Sequence, residues 1–110
     1  MNKNILHIDG IDLLPVNYNG IPCFTIDQIA FIQRSSDKTI NKKIESIKQH
    51  LILGKDYFII AQGGGIPRSY LLTMFGYLSL TKVLRGNSSW AARSALINYV
   101  KDYDLSKENL

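Results

Sequence analysis

Apolar and polar positions change rhythm along this chain. From Ile5 to Thr25, short apolar runs are interrupted at Asp9-Gly10 and at Asn17-Tyr18-Asn19-Gly20. Asp-Gly and Asn-Gly steps supply the positive φ that tight hairpin turns need, so two or three short strands folded on one another are predicted. Pro15 and Pro22 belong at strand edges or ends, where a missing N–H costs nothing. At Thr25 the period becomes helical. Thr25-Ile26-Asp27-Gln28 has the form of a capping box, and Ile26, Ile29, Ala30 and Ile32 give the helix it opens one apolar side as far as about Ser35. Past the polar link Ser35-Ser36-Asp37, a second helix is predicted over residues 37–52. Ser36 or Asp37 is its N-cap and Gly54 its stop. Its apolar positions Ile40, Ile44, Ile47 and Leu51 form a seam roughly 60° wide at 100° per residue, suited to docking on the first helix. Opposite that seam lie Lys38, Lys42 and Gln49, flanked by Asn41, Glu45 and Ser46.

Tyr57 to Ile60 and Tyr70 to Leu72 are rich in aromatic and branched residues and bracket Gly63, Gly64, Gly65, Pro67 and Arg68, predicting a β-hairpin with a mobile tip. The glycines do not read as a phosphate loop, because no Lys-Ser/Thr ending follows them. Two helices close the chain. One runs from Met74 to Arg85, capped by Thr73 and ended by Gly86-Asn87; the other runs from Ser89, capped by Ser88, to about Tyr103. The last helix groups Trp90, Leu96, Ile97, Val100 and Tyr103 on one broad side and is assigned to the core. Arg93 falls in that sector and reads as a packed stem whose guanidinium finds a carboxylate, a carbonyl or the Trp90 ring. No internal repeat is visible. Residues 1–104 therefore read as one α+β domain: an N-terminal β-hairpin, a helix-turn-helix with a β-hairpin wing, and two C-terminal helices, followed by a polar tail at 105–110.

Charge sharpens the picture. The net charge is +4, and from Arg34 to Lys55 six cations (Arg34, Lys38, Lys42, Lys43, Lys48, Lys55) face two anions, Asp37 and Glu45. A basic face on one helix is the footprint of a polyanion-binding surface; the plainer alternative is a solvated helix side on which Lys42 and Glu45 pair. Two helices with a short link, the second basic and amide-rich, then a hairpin, is the order of a winged helix-turn-helix. Burying the two apolar stripes together turns Lys38, Lys42 and Gln49 outward. Asn41 and Gln49 carry the donor-acceptor pair that reads adenine; Lys38, Lys42, Lys43 and Lys48 suit phosphates or guanine; the raised Arg68 suits a phosphate or a minor groove, and Arg34 joins the set as a further DNA-binding candidate.

The run Asn19-Gly20-Ile-Pro-Cys-Phe-Thr25-x-x-Gln28-Ile29-Ala30, a helix, and then Leu53-Gly54-Lys55-Asp56-Tyr57-Phe58 resembles the N-terminal DNA-binding domain of phage antirepressors and related regulators. These form the KilA-N/Bro-N superfamily, and the type resembled is the one named for an ORF-six N-terminal domain. Leu72-Thr73-x-x-Gly76 to Lys82-Val83-Leu84, Ser89-Trp90-Ala91 and Asn98-Tyr99 are similar to the second half of that pattern, though Val100 stands where the family has an aromatic. The resemblance spans about residues 16–103. It implies an α+β domain that binds double-stranded DNA in phage or mobile-element control, usually fused to a C-terminal module. This chain ends after the domain, as a truncated form or as a stand-alone form that obstructs a partner.

A lone Cys23, His7 and His50 far apart, and no nucleophile-base set leave no candidate for catalysis, metal or cofactor. No long apolar run or signal peptide is present, so an intracellular location without membrane attachment is expected, which the resemblance implies is the cytoplasm of a bacterial host. Two functions compete. One is a DNA-binding transcriptional regulator, expected to dimerise if it reads paired half-sites. The other is a small phage-encoded inhibitor that binds a repressor or a host defence or transcription protein through the same basic face.

Overall fold

The computed structural model describes residues 5–60 and 69–108, with side chains up to residue 104. β1 (Leu6–Ile8) and β2 (Ile11–Leu13) form one antiparallel hairpin, and β3 (Val16–Tyr18) and β4 (Ile21–Thr25) form another. Both turn residues have positive φ in each case: 50° and 82° at Asp9-Gly10, 53° and 79° at Asn19-Gly20. This is the mirror-image turn whose twist matches that of paired strands. β5 (Tyr57–Ile60) and β6 (Ser69–Thr73) pair as expected, but they do not stand apart. β6 also pairs with β4, giving a four-stranded antiparallel sheet in the order β3-β4-β6-β5. Tyr70, Leu71, Leu72 and Thr73 are all buried, so β6 needs cover on both faces and takes an interior place.

α1 (Ile26–Gln33) opens with the capping box: Thr25 Oγ1 accepts from the Gln28 N–H at 3.1 Å, and Gln28 Oε1 accepts from the Thr25 N–H at 2.9 Å. It ends at Arg34 in the left-handed conformation. α2 (Asp37–Ile47) is capped by Ser36, whose hydroxyl accepts from the Thr39 N–H. Ile40 and Ile44 are fully buried, Leu51 is buried and Ile47 half-buried, so the seam docks as its spacing implies. The α-helix is shorter than expected. Ser46 Oγ donates to the Lys43 carbonyl at 2.6 Å, competing with the helical ladder, and Lys48–His50 tighten into a 3-10 turn.

α3 (Met74–Leu80) is also shorter than its sequence suggests. The Thr81 hydroxyl donates to the Leu78 carbonyl, and the Thr81 carbonyl accepts from Ser89 Oγ at 3.0 Å, which binds the end of α3 to the start of α4 (Asn87–Glu108). α4 begins after Gly86, φ 91°, and its backbone continues past Tyr103 to Glu108 without a Gly or Pro to stop it. The expectation that Trp90 belongs to the core is overturned: it is 71% exposed, and Ile97 is exposed as well. α4 buries Ser89, Ala92 and Leu96 instead. At 100° per residue Trp90 lies roughly 130° around the helix from that seam. Small side chains let α4 sit close to α3, and the indole is left outside.

The arrangement is repeated although the sequence is not. Each half of the sheet is a hairpin whose inner strand runs into a threonine that N-caps a helix, Thr25 for α1 and Thr73 for α3, 48 residues apart. A second helix follows each, α2 and α4. Phe24 pairs with Leu72, its own positional equivalent, as a two-fold axis normal to the sheet requires. α1 and α3 each pack on both β4 and β6, while α4 reaches across to α1 and α2 to α3. Phe24 fills the centre, with Tyr77 and Tyr99 edge-on to its ring at 5.8 Å.

Candidate nucleic-acid interface

Docking through Ile40 and Ile44 leaves Lys38 and Lys42 exposed on α2, with Asn41 and Lys43 half-buried beside them and Gln49 exposed on the following turn. Lys48 faces the sheet. Its Nζ is 3.2 Å from the Tyr70 hydroxyl on β6, 3.6 Å from the Glu45 carboxylate and 5.5 Å from the centre of the Tyr70 ring. The Tyr70 hydroxyl in turn donates to Glu45 in a short hydrogen bond. Glu45 thus pairs with Lys48 rather than Lys42, and three side chains pin α2 to the sheet. The Tyr70 hydrogen bond, with the Lys48 charge, holds the Glu45 carboxyl below the usual range. Hydrogen bonding to Tyr70 and the Glu45 charge raise Lys48, while burial and then the Glu45 bond raise Tyr70.

A recess of about 520 Å³ separates the N-terminal half of α2 from β6, with Lys38 and Asn41 on one wall and Tyr70 and Leu71 on the other. Asp27 and Asp37, from the first turns of α1 and α2, meet at its end. The hydrogen bond between them raises the Asp37 carboxyl above its usual range. The two carboxylates make that end of the recess acidic, while Lys38 lines it as well. Arg34 is not brought to this recess. It lines a smaller one of about 200 Å³ with Ile8, Asp9, Phe31 and Ser88. Arg68 and the glycine-rich tip lie outside the described residues.

A second basic group was missed because it is spread along the sequence. Lys82, Arg85 and Arg93 surround a recess of about 550 Å³ at the α3–α4 junction, with Trp90 at its side. A signal for it did exist: between Tyr57 and Val100 the chain carries Arg68, Lys82, Arg85 and Arg93 and no Asp or Glu. Arg93 forms no hydrogen bond, ion pair or ring contact among the described residues, so none of the carboxylate, carbonyl or Trp90-ring partners expected for it is found there.

Among the described residues no three His, Cys, Asp or Glu side chains gather into a metal-binding group, and no helix is long and apolar enough to cross a membrane. Cys23 is buried, and loss of solvent pushes its thiol up to about 11. No family model, curated protein or solved structure matches the chain.

Proposed function

We propose that this domain is a non-enzymatic regulator that binds double-stranded DNA, with α1 bracing α2 as a helix-turn-helix and the β5–β6 hairpin beside it as the wing. One observation carries the reading: Ile40 and Ile44 are fully buried while Lys38, Lys42 and Gln49, on the opposite side of the same segment, are exposed. Lys38, Lys42 and Lys43 are assigned to phosphates or guanine, Asn41 and Gln49 to adenine edges. Lys48, already paired, is assigned mainly to holding α2. The resemblance to phage antirepressor-type regulators points to transcription control in a bacterial host as the setting.

The test is a fluorescence-anisotropy titration of labelled duplex DNA at several salt concentrations. For Lys38→Ala, Lys42→Ala, Lys43→Ala combined, duplex affinity should collapse while the melting temperature holds, because none of the three is buried. The slope of log K against log salt should become shallower by about 0.9 for each phosphate that is no longer neutralised. Unchanged affinity in the triple variant removes α2 as the reader. Absence of duplex binding by the parent protein, together with a stoichiometric complex with an acidic protein, turns the assignment to the inhibitor reading.

A further inference from the structure

We propose that the α3–α4 junction is a second nucleic-acid site, one that takes an unpaired strand: a base stacks on Trp90 while Lys82, Arg85 and Arg93 hold the flanking phosphates. The site is distinct from the α2 face and does not depend on that face reading duplex DNA.

Three observations meet here. Trp90 is 71% exposed, although a tryptophan withdrawn from water is among the most stabilising side chains a fold can bury. Lys82 and Arg85 are exposed, Arg93 is half-buried, and among the described residues no carboxylate lines the recess they share with Trp90. Finally, the 48-residue displacement that carries Thr25 to Thr73 carries buried Ile44 to buried Ala92 and exposed Lys42 to exposed Trp90. The second helix pair therefore presents outward the side that corresponds to the lysine face of α2, with an aromatic in its middle.

An aromatic face amid cations without carboxylate partners among the described residues is the chemistry of single-strand binding, in which stacking and phosphate neutralisation act together. A base inside a duplex already has neighbours on both faces, so the indole selects an unpaired one. The two guanidinium groups match phosphate oxygens in a planar fork. An acidic peptide would satisfy the cations but would leave the flat indole without a matching ring.

Trp90 is the only tryptophan, so its emission reports the site directly. The full chain is titrated with oligothymidine of about twelve nucleotides at low salt. Saturable quenching that weakens as salt rises is expected. By anisotropy of the labelled strand, Arg85→Gln with Arg93→Gln, and separately Trp90→Ala, should each weaken binding about tenfold, while Trp90→Phe keeps most of it. Circular dichroism melts check that the variants fold. Absence of quenching overturns the proposal, as does affinity unchanged in the charge or the alanine variant. Equal quenching by polyglutamate assigns the face to an acidic protein, and equal quenching by a blunt duplex removes the unpaired-strand assignment; either result also overturns it.

Discussion

A methyl group added at Gly76 would stand 1.9 Å from the Asp56 carbonyl oxygen and 2.9 Å from the carbon that bears it. Carbon and carbonyl oxygen ordinarily approach no closer than about 3.3 Å, so Gly76→Ala must push α3 and the 52–56 turn apart by about 1.4 Å. Neither side is free to yield. The Asp56 carboxylate accepts from the Ile52 N–H at 2.8 Å, and the Asp56 carbonyl accepts from the Thr73 N–H at 3.0 Å. Thr73 Oγ1 donates to the Lys55 carbonyl at 2.7 Å while accepting from the Gly76 N–H at 3.2 Å. Overpacking of this kind costs about 1–3 kcal/mol. Loosening two of these hydrogen bonds adds about 1 kcal/mol each. Alanine's better helix propensity returns about 1 kcal/mol. The net loss is about 3 kcal/mol, and at about 4 °C per kcal/mol for a domain of this size the melting temperature should fall by about 12 °C. Thermal and urea unfolding followed by circular dichroism measure it. A variant melting within about 2 °C of the parent would refute the close approach of α3 to Asp56.

Two tyrosines make opposite predictions. Glu45 titrates below its usual range in the folded state, so its contribution to stability is present at neutral pH and lost as pH falls through the carboxylate range. Tyr70→Phe removes the hydroxyl chiefly responsible and should flatten the fall in melting temperature between about pH 5 and pH 3; an acid limb identical to the parent's would show that the Tyr70–Glu45 bond does not persist in solution. Tyr77, in contrast, is fully buried and its hydroxyl meets no hydrogen-bond partner among the described residues. Tyr77→Phe should therefore keep or raise stability, by up to about 1 kcal/mol in urea unfolding, and a loss of that size would reveal a partner for the hydroxyl.

What the chain specified by itself is what depends on a few neighbouring residues. Asp9-Gly10 and Asn19-Gly20 set two turns because those side chains tolerate positive φ. Thr25 with Gln28, Ser36 and Thr73 set three helix starts because each hydroxyl reaches an N–H three residues on. The Ile40–Ile44 seam was equally legible, since α2 has one narrow apolar side and only one way to bury it. The tertiary structure decided what depends on residues far apart. Placing β6 beside β4 joined strands 48 residues apart and drew the anticipated wing into the sheet. It also brought Tyr70 to Glu45 and Lys48, taking one lysine out of the exposed set. α4 was undetermined for a different reason. Apolar residues cover more than half its circumference, so periodicity alone selects no face, and packing on α3, β1 and α1 with Ser89, Ala92 and Leu96 buried left Trp90 outside.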